Sequence, residues 1–316
     1  MRQEMKYIYA IYLEGSFTKA AQKLYMTTAA LSISVQKVES EIGMAIFNRD
    51  KKPLELTEAG KLYVENIEQT MYQEEELLRK INDLSELRTG FLRVGGTHYF
   101  NSYILPPIFT EFHQKWPGIS LEIIEDGSYE LLDKLKENKI DLTFNCSLSH
   151  MSTFRRTPAF QDNILLAVPA TFNVNQTLYD SALTAKDVMF RKHLLPDCPS
   201  ITLESLSHTP FILLTEKNNL YTRSMSMFKQ ANIMPIVSTK VSQLVTAYHL
   251  ASAGMAATFI SNWMVLYEHN NMLYYKLEYK EATRVFDVVT SSKNYLSKPQ
   301  NAFISLFTTY YKPYLR

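Results

Sequence analysis

Residues 15–60 constrain the fold more strongly than any other stretch of this 316-residue chain. They hold two segments whose apolar residues recur with helical spacing, then a basic segment that ends in Thr-Glu-Ala-Gly. Two helices joined by a tight turn and followed by a basic hairpin form a winged helix-turn-helix, whose second helix enters the major groove of DNA. The chain is therefore predicted to begin with a DNA-binding domain.

Capping residues indicate where these helices begin and end. A first helix is predicted over about residues 3–13, which Gly15 ends, and Ser16 is suited to cap a second helix that begins at Phe17. The third helix is predicted over about residues 28–42, capped by one of the two threonines at its start. This third helix is the one expected in the groove.

Residues placed 100° apart around the third helix separate into two faces. The apolar face, expected to pack inside the domain, consists of Leu31, Val35, Val38 and Ile42. The residues expected at the DNA are Thr28, Ala29, Ser32, Ile33, Gln36 and Lys37. Ile33 is predicted to contact a thymine methyl group, and Ser32 and Gln36 to form hydrogen bonds with base edges or phosphates. The alternative is that Ile33 packs on a neighbouring element.

The basic segment that follows carries three cations, Arg49, Lys51 and Lys52. It reads as a short hairpin that leads into a helix capped by Thr57. Cations beside a recognition helix suit contacts with DNA phosphates, so the hairpin is predicted to act as a wing. A merely solvated turn is the alternative.

This stretch strongly resembles the LysR-type transcriptional regulators. The matching positions run without gaps and are Gly15, Ser16, Phe17, Thr18, Ala20, Ala21, Leu24, Ala30, Leu31, Ser32, Glu39, Gly43, Phe47, Arg49, Leu56, Thr57, Ala59 and Gly60. The resemblance implies a winged helix-turn-helix that binds double-stranded promoter DNA. The chain departs from the family in its reading face, where the family usually has Pro at Ala29, a basic residue at Ile33 and Gln at Ser34. Its target sequence therefore cannot be transferred from relatives.

A long helix is predicted from Thr57 to about Leu87, since this stretch lacks Pro and its one Gly lies in the first turn. Its apolar stripe, which Glu74 interrupts, consists of Val64, Ile67, Met71, Leu78 and Ile81. Pairing of two such helices would present two readers to a pseudo-palindromic site, and packing on its own chain is the alternative. The resemblance implies a homodimer or a homotetramer. Residues 88–90 are the predicted hinge.

Beyond residue 91, strand-like and helix-like segments alternate, which predicts an α/β domain with parallel strands. The family resemblance continues in Gly95, Leu105-Pro106, Trp116-Pro117-Gly118, Asp141-Leu142 and Ala253-Gly254. It implies an effector-binding domain of two α/β subdomains that is similar to type-2 periplasmic binding proteins. Residues 172–200 look longer than the usual family connection and predict an extra helix or a lid.

The expected organisation has three parts. Residues 1–60 form the winged helix-turn-helix, residues 61–90 the linker helix and hinge, and residues 91–316 the effector domain. Within the effector domain, the boundaries expected for subdomain I are about 91–163 and 270–316, and for subdomain II about 164–269.

Ligands of parallel sheets bind at the carboxyl ends of the strands. The residues predicted to bind an effector follow strands or begin helices, and are Thr97, His98, Tyr99, Ser128, Asn145, Thr202, Asn218 and Ser242, with Cys146 and Asn219 beside them. Their hydroxyl and amide groups suit a small polar or anionic metabolite. Ordinary capping or turn chemistry is the alternative for each of them.

Composition narrows the classes of function. The net charge is +1, and no apolar run approaches the roughly 20 residues of a membrane span. Seven His and two Cys show no metal-like spacing, and no catalytic motif stands out, so no metal, cofactor or enzymatic activity is expected. Cys146 and Cys198 are predicted to be inert thiols, with a redox pair as the alternative. The N-terminal sequence does not read as a signal peptide, which favours a cytoplasmic protein.

The leading hypothesis is a sequence-specific transcriptional regulator whose promoter binding or DNA bending is controlled by a small molecule. The alternative is a sensor similar to binding proteins, in which the N-terminal domain serves mainly in assembly.

Overall fold

Three short helices, a two-stranded wing and a long fourth helix make up the N-terminal part of the computed structural model. The residues that the structure describes are 1–51, 54–85, 87, 89–146 and 153–315. The chain separates into two units, Met1–Leu84 and Ser85–Arg316. The elements of the first unit are α1 (Gln3–Glu14), α2 (Phe17–Lys23), α3 (Thr28–Ile42), β1 (Phe47–Asn48), β2 (Glu55–Leu56) and α4 (Glu58–Asn82).

Local capping interactions fix these boundaries. Gly15 ends α1 in the left-handed region at φ 58°, where a side chain would be strained. The hydroxyl of Ser16 accepts a hydrogen bond from the backbone N–H of Lys19, and Thr27 and Thr57 cap α3 and α4 in the same way. The predicted helices and the antiparallel wing are therefore confirmed, with Thr27 as the cap of α3.

The core of the first unit lies where α1, α2 and α3 meet the start of α4. Ala20 and Ala21 are buried and small, which lets α2 and α3 approach closely. Leu31, Val35 and Val38 are buried as predicted. Ile42 is not, since 41% of its surface is exposed. It occupies the last residue of α3, just before Gly43 turns the chain away.

The first half of the predicted stripe on α4 belongs to this same core. Val64 and Ile67 are buried against it, whereas Met71, Leu78 and Ile81 are exposed. The helix ends at Asn82, earlier than predicted, and passes into a 3₁₀ turn at Asp83–Ser85. The predicted hinge includes residue 88, which lies outside the described residues.

The second unit begins with the predicted alternation of strands and helices. Its first elements are β3 (Gly90–Gly96), α5 (Pro106–Lys115), β4 (Ile119–Glu125), α6 (Ser128–Lys136), β5 (Thr143–Asn145) and β6 (Phe154–Pro169). β3 and β4 are parallel, and a parallel bridge joins Val94 to Leu142 beside β5. The predicted parallel arrangement is confirmed for these strands. The turn between β3 and α5 contains a π-helical segment at Phe100–Ile104.

The remaining elements complete the second unit. They are α7 (Val174–Thr177), α8 (Ala185–Met189), β7 (Ser200–Ile201), β8 (Pro210–Leu214), α9 (Asn219–Gln230), β9 (Ile236–Val241), α10 (Leu244–Ser252), β10 (Ala257–Ser261), β11 (Met272–Leu277), β12 (Thr283–Ser291) and α11 (Lys298–Tyr311). Strands follow the order β5-β12-β6-β10-β8-β9, with β11 beside β6 and β7 beside β11. The parallel edge strand β9 was not predicted, since its mostly exposed Ile-Val-Ser-Thr-Lys-Val sequence lacks a buried pattern.

The long strand β6 joins the two halves of the second unit. Its residues 154–163 pair with β12, and its residues 164–169 pair with β10 and β11. Only residues 164–168 of this strand were predicted. Because β11 pairs with the second half of β6, the chain crosses back at about Thr283 and not at about residue 270.

The segment at residues 172–200 packs on the second half of this unit and does not form a lid over the effector cleft described below. Its two short helices, α7 and α8, are joined by irregular turns. The side chain of Asn175 donates to the carbonyl of Pro169 at 2.8 Å and accepts from the Tyr275 hydroxyl at 2.8 Å. Leu183 forms an antiparallel bridge with Tyr274, so the segment is tied to β6 and β11.

His193 lies buried in this segment, and neither of its ring nitrogens has a hydrogen-bond partner among the described residues. Burial, with the nearby charge of Arg191, lowers the pKa of His193 to about 4 from its usual 6.5. The folded state therefore holds the neutral ring. The unfolded chain binds the proton more readily than the folded protein. The free energy of unfolding is therefore unaffected by His193 above about pH 6.5, and it decreases as the pH falls from 6.5 toward 4.

A His193→Leu substitution should remove this pH dependence. The free energy of unfolding of the variant, minus that of the wild-type protein, should be about 2 kcal/mol larger at pH 5 than at pH 7.5. Urea unfolding at the two pH values measures the difference. His208→Leu, at an exposed histidine, is the control. An equal effect of His193→Leu at both pH values would contradict the assignment.

Candidate DNA-binding surface and effector cleft

The outward face of α3 is open to solvent. Thr28, Ala29, Gln36 and Lys37 are exposed, and Ser32 is half-buried. Ile33 has 66% of its surface exposed, so it does not pack on a neighbouring element of its unit. An exposed isoleucine between polar side chains gives this face an apolar centre that is able to contact a thymine methyl group.

Arg49 is held in place by contacts within its own domain. Its guanidinium group donates to the Ser32 hydroxyl at 3.1 Å and to the Glu39 carboxylate at 3.0 Å, and it lies 5.1 Å from the centre of the Phe17 ring. The same carboxylate accepts from the backbone N–H of Ile46 at 2.8 Å. Arg49 therefore links the wing to α3, and its charge is largely matched by that of Glu39.

The other cations of this surface differ in their partners. Lys51 pairs with Glu55 at 2.6 Å, and both side chains are about half exposed. An exposed pair of this kind contributes about 0–1 kcal/mol, so a phosphate is able to displace the carboxylate. Lys37 is exposed and forms no ion pair within the described part of the chain. Lys52 lies outside the described residues.

A cleft of about 280 Å³ opens in the second unit between the ends of its strands. The predicted residues that line this cleft are Thr97, Tyr99, Ser128, Asn145, Cys146, Asn218, Asn219 and Ser242. They follow β3 and β5 or begin helices α6, α9 and α10. The carboxyl ends of the strands therefore bring most of the predicted residues together, as the rule for parallel sheets requires.

Two predicted residues lie away from the cleft. His98 turns outward between its two neighbours, and its Nδ1 atom lies 3.2 Å from the Glu125 carboxylate. Thr202 follows β7, which pairs with β11 at Leu277 and so lies on the far side of β11 from β6. The cleft is lined by residues at the end of β8 and not by those at the end of β7. Which of the two strands ends at the cleft depends on the order of strands in the sheet.

The cleft also contains side chains that the sequence did not single out. They are Phe100, Asp126, Glu130, Phe144, Thr215, Lys217, Gln243, Arg284 and Phe286, besides hydrophobic leucines. Arg284 is the most informative of these, because a nearly buried guanidinium group forms part of the wall. No local sequence pattern marks Arg284. Its place follows from the register in which β12 pairs with β6, where it lies opposite Asp162.

Arg284 belongs to a buried polar network at the crossing between the two halves of the unit. Its Nε atom donates to the fully buried carboxylate of Asp162 at 2.5 Å. Ser261 at the end of β10 donates to the same carboxylate, and the Tyr99 hydroxyl lies 2.7 Å from the Ser261 hydroxyl. Four segments of the chain therefore meet at one carboxylate, beside the cleft.

Arg284 stays charged within this network. Burial alone would lower the pKa of Arg284, but the charge of Asp162 outweighs burial and raises it, so the guanidinium group is cationic. Burial and the neighbouring carboxylate raise the pKa of the Tyr99 hydroxyl, which stays protonated. The terminal nitrogens of Arg284 form no hydrogen bond with any described residue, and they remain available to a ligand.

Helix N-termini add to the positive potential of the cleft. Helices α6, α9 and α10 all begin with residues that line it, so the positive ends of their dipoles lie at its walls. Asp126 and Glu130 contribute carboxylates at one side, and Asp126 is paired with Lys134 at 2.8 Å. A ligand that carries both an anionic group and hydrogen-bond donors fits this arrangement.

The two cysteines are free. The buried Cys146 thiol donates to the side-chain oxygen of Asn219 at 3.3 Å, and burial raises its pKa. Burial likewise raises the pKa of the half-buried Cys198. Both groups therefore have the character of inert thiols.

No helix within the described ranges combines the length and the apolar character needed to cross a membrane. Among the described residues, no group of three or more His, Cys, Asp or Glu side chains is placed to hold a metal ion.

The chain matches two family models. Residues 2–61 match the bacterial regulatory helix-turn-helix protein of the lysR family, and residues 85–312 match the LysR substrate binding domain. The HTH-type transcriptional regulator YcgK of Bacillus subtilis, itself described as uncharacterized, is 24% identical over 96% of this chain and 92% of its own length.

Solved structures share the fold. Full-length CbnR in complex with its target DNA has a TM-score of 0.66 at 16% identity, and 99% of each chain is covered. The effector binding domain of QuiR in complex with shikimate has a TM-score of 0.57 at 15% identity, and covers 72% of this chain and all of QuiR's.

The family matches assign both units. The N-terminal match is to a regulatory helix-turn-helix, so the first unit is a DNA-binding domain and not a module for assembly alone. The second unit is the domain that binds the effector. The chain belongs to the LysR family of transcriptional regulators.

Proposed function

We propose that this LysR-type regulator reads promoter DNA with the outward face of α3 and responds to a small anionic metabolite bound in the cleft beside Arg284. The observation that carries the proposal is the position of Arg284. Its cationic group forms a wall of the cleft and is bonded to Asp162 at the crossing between the two halves of the effector domain. An anion that binds Arg284 therefore acts directly on the contact that joins the halves.

The ligand is proposed to be a hydroxylated carboxylic acid. Its carboxylate would bind Arg284 and the N–H groups at the start of α9, while its hydroxyl groups would donate to Asp126 or Glu130. The QuiR effector domain, whose fold is similar, holds shikimate, which has this chemistry. Closure of the cleft would change the spacing of two DNA-binding domains in an oligomer, and with it the binding or bending of DNA.

No catalytic step is proposed. The Cys146 thiol faces an amide and has a raised pKa, and no histidine is among the residues that line the cleft. The site is therefore proposed to bind its ligand without chemistry. A regulator of promoter DNA is expected to act in the cytoplasm.

Charges at the edges of the reading surface should contribute to the affinity for any DNA sequence. Lys37→Gln and Lys51→Gln should each weaken binding to promoter and unrelated DNA alike. Affinity falls as salt rises, and each substitution should reduce the magnitude of the slope of log affinity against log salt concentration by about 1. Binding titrations at several salt concentrations measure the slope. Lys80→Gln, on the acidic part of α4, is the control, and unchanged slopes in both test variants would exclude them from phosphate contact.

Ile33 should contribute to affinity at one thymine. With the natural site, Ile33→Ala should weaken binding about fivefold, the low end of what a base contact contributes. With a site in which that thymine is replaced by uracil, the substitution should have no further effect. Met44, which is 64% exposed elsewhere on the same unit, gives the control Met44→Ala. An equal loss at every uracil-substituted site would argue against contact with a methyl group.

The cleft should be testable by thermal stabilisation with a panel of hydroxylated carboxylic acids that includes shikimate. A compound that stabilises the wild-type protein should lose that effect in Thr97→Ala, because the hydroxyl at the cleft wall is removed while the fold remains. The matched control is Thr202→Ala, since Thr202 lies beside β7, away from the cleft. Stabilisation that survives in Thr97→Ala would remove Thr97 from the binding site.

A further inference from the structure

A second cavity, of about 460 Å³, lies against the same crossing but shares no lining residue with the effector cleft. On β6, Asp162 turns toward Arg284 while its neighbours Gln161 and Asn163 line this second cavity. Successive side chains of a strand point to opposite faces, so the two cavities lie on opposite sides of β6. The residues that line this second cavity take no part in the function proposed above.

Arg191 dominates this cavity. Its guanidinium carbon lies 3.6 Å from the centre of the Tyr314 ring and 4.9 Å from the centre of the Trp263 ring. Its guanidinium group forms no hydrogen bond or ion pair with any residue in the described part of the chain. The N–H donors of a guanidinium group lie in its plane, so a ring stacked on its face leaves them unused. A half-buried cation thus stands in the cavity without an anion.

The backbone at Arg191 is held in an unfavourable conformation. Its φ of 61° places it in the left-handed region, which residues other than Gly, Asn and Asp seldom adopt. The turn that follows α8 thereby directs Arg191 onto the two aromatic rings.

The rest of the cavity is mostly apolar. Phe190 is 70% exposed and Leu195 is 49% exposed, and Pro313 lines the cavity with them. Exposed apolar side chains beside an unpaired cation would recognise a molecule with an anionic head and an apolar body.

We propose that this second cavity binds an amphipathic monocarboxylate, such as a medium-chain fatty acid or an aromatic acid. The carboxylate accepts hydrogen bonds from Arg191, and the apolar body lies against Phe190 and Leu195. Trp263 forms part of the site, and its position is fixed, since its backbone N–H donates to Ser261 at 3.1 Å and its ring N–H to the Gln161 carbonyl at 3.4 Å.

The test uses the fluorescence of Trp263 in the full-length protein, with the other tryptophan removed as Trp116→Phe. Titration with sodium octanoate, and separately with sodium benzoate, should give a saturable change in emission with at least one of the two. Octan-1-ol, which lacks the carboxylate, should bind about tenfold more weakly than octanoate. No saturable change with either acid would overturn the proposal.

Two variants connect binding to the proposed contacts. Arg191→Asn suits the left-handed backbone and should keep the fold, yet weaken the acid that binds by about tenfold or more. Leu195→Asp places a negative charge on an exposed wall of the cavity, so it should also weaken binding of the carboxylic acid. Thr97→Ala should leave this affinity unchanged, because Thr97 lines the other cavity. Equal affinity in wild-type, Arg191→Asn and Leu195→Asp proteins would overturn the proposal, whatever the outcome at the effector cleft.

Discussion

The buried ion pair of Asp162 and Arg284 is the interaction on which the effector domain depends. The two residues face each other in the register of β6 and β12, at the point where both strands cross between the halves. Loss of one partner would leave the other charge buried and unpaired, at a cost of about 3–5 kcal/mol. Apolar side chains of the same size would stabilise the crossing as well. What the ion pair adds is a cation at the cleft wall that also belongs to the crossing between the halves.

The pleat of β6 divides neighbouring residues between two surfaces. Asp162 joins the network beside the cleft, whereas Gln161 and Asn163 face the cavity of Arg191. Ser261 links the two sides, because its hydroxyl donates to Asp162 and accepts from the backbone N–H of Trp263. The same few hydrogen bonds therefore lie next to both cavities. The crossing is small, and both cavities are built on it.

Local chemistry explains which parts of the molecule the sequence predicts. Gly15, Ser16 and Thr57 define helix ends through contacts within a few residues, so their roles are visible in the sequence. Thr97 and Ser128 were found because parallel strands end at a common edge. Arg284 was missed and Thr202 was misplaced for one reason. Their positions depend on strand order and register, which contacts distant in sequence determine.

Helix α4 shows how one apolar stripe serves two purposes. Val64 and Ile67 complete the core of the DNA-binding domain, so that part of the seam is satisfied within one chain. The acidic run that interrupts the stripe does not break the helix, because Glu75 and Glu76 form i,i+4 pairs with Arg79 and Lys80. The later apolar residues of the stripe, Met71, Leu78 and Ile81, stay exposed. A solvated stripe on a continuous helix fits the predicted pairing with a second copy. The core of the domain that reads DNA is therefore complete in one chain, while the second half of α4 is left for the pairing that its stripe predicts.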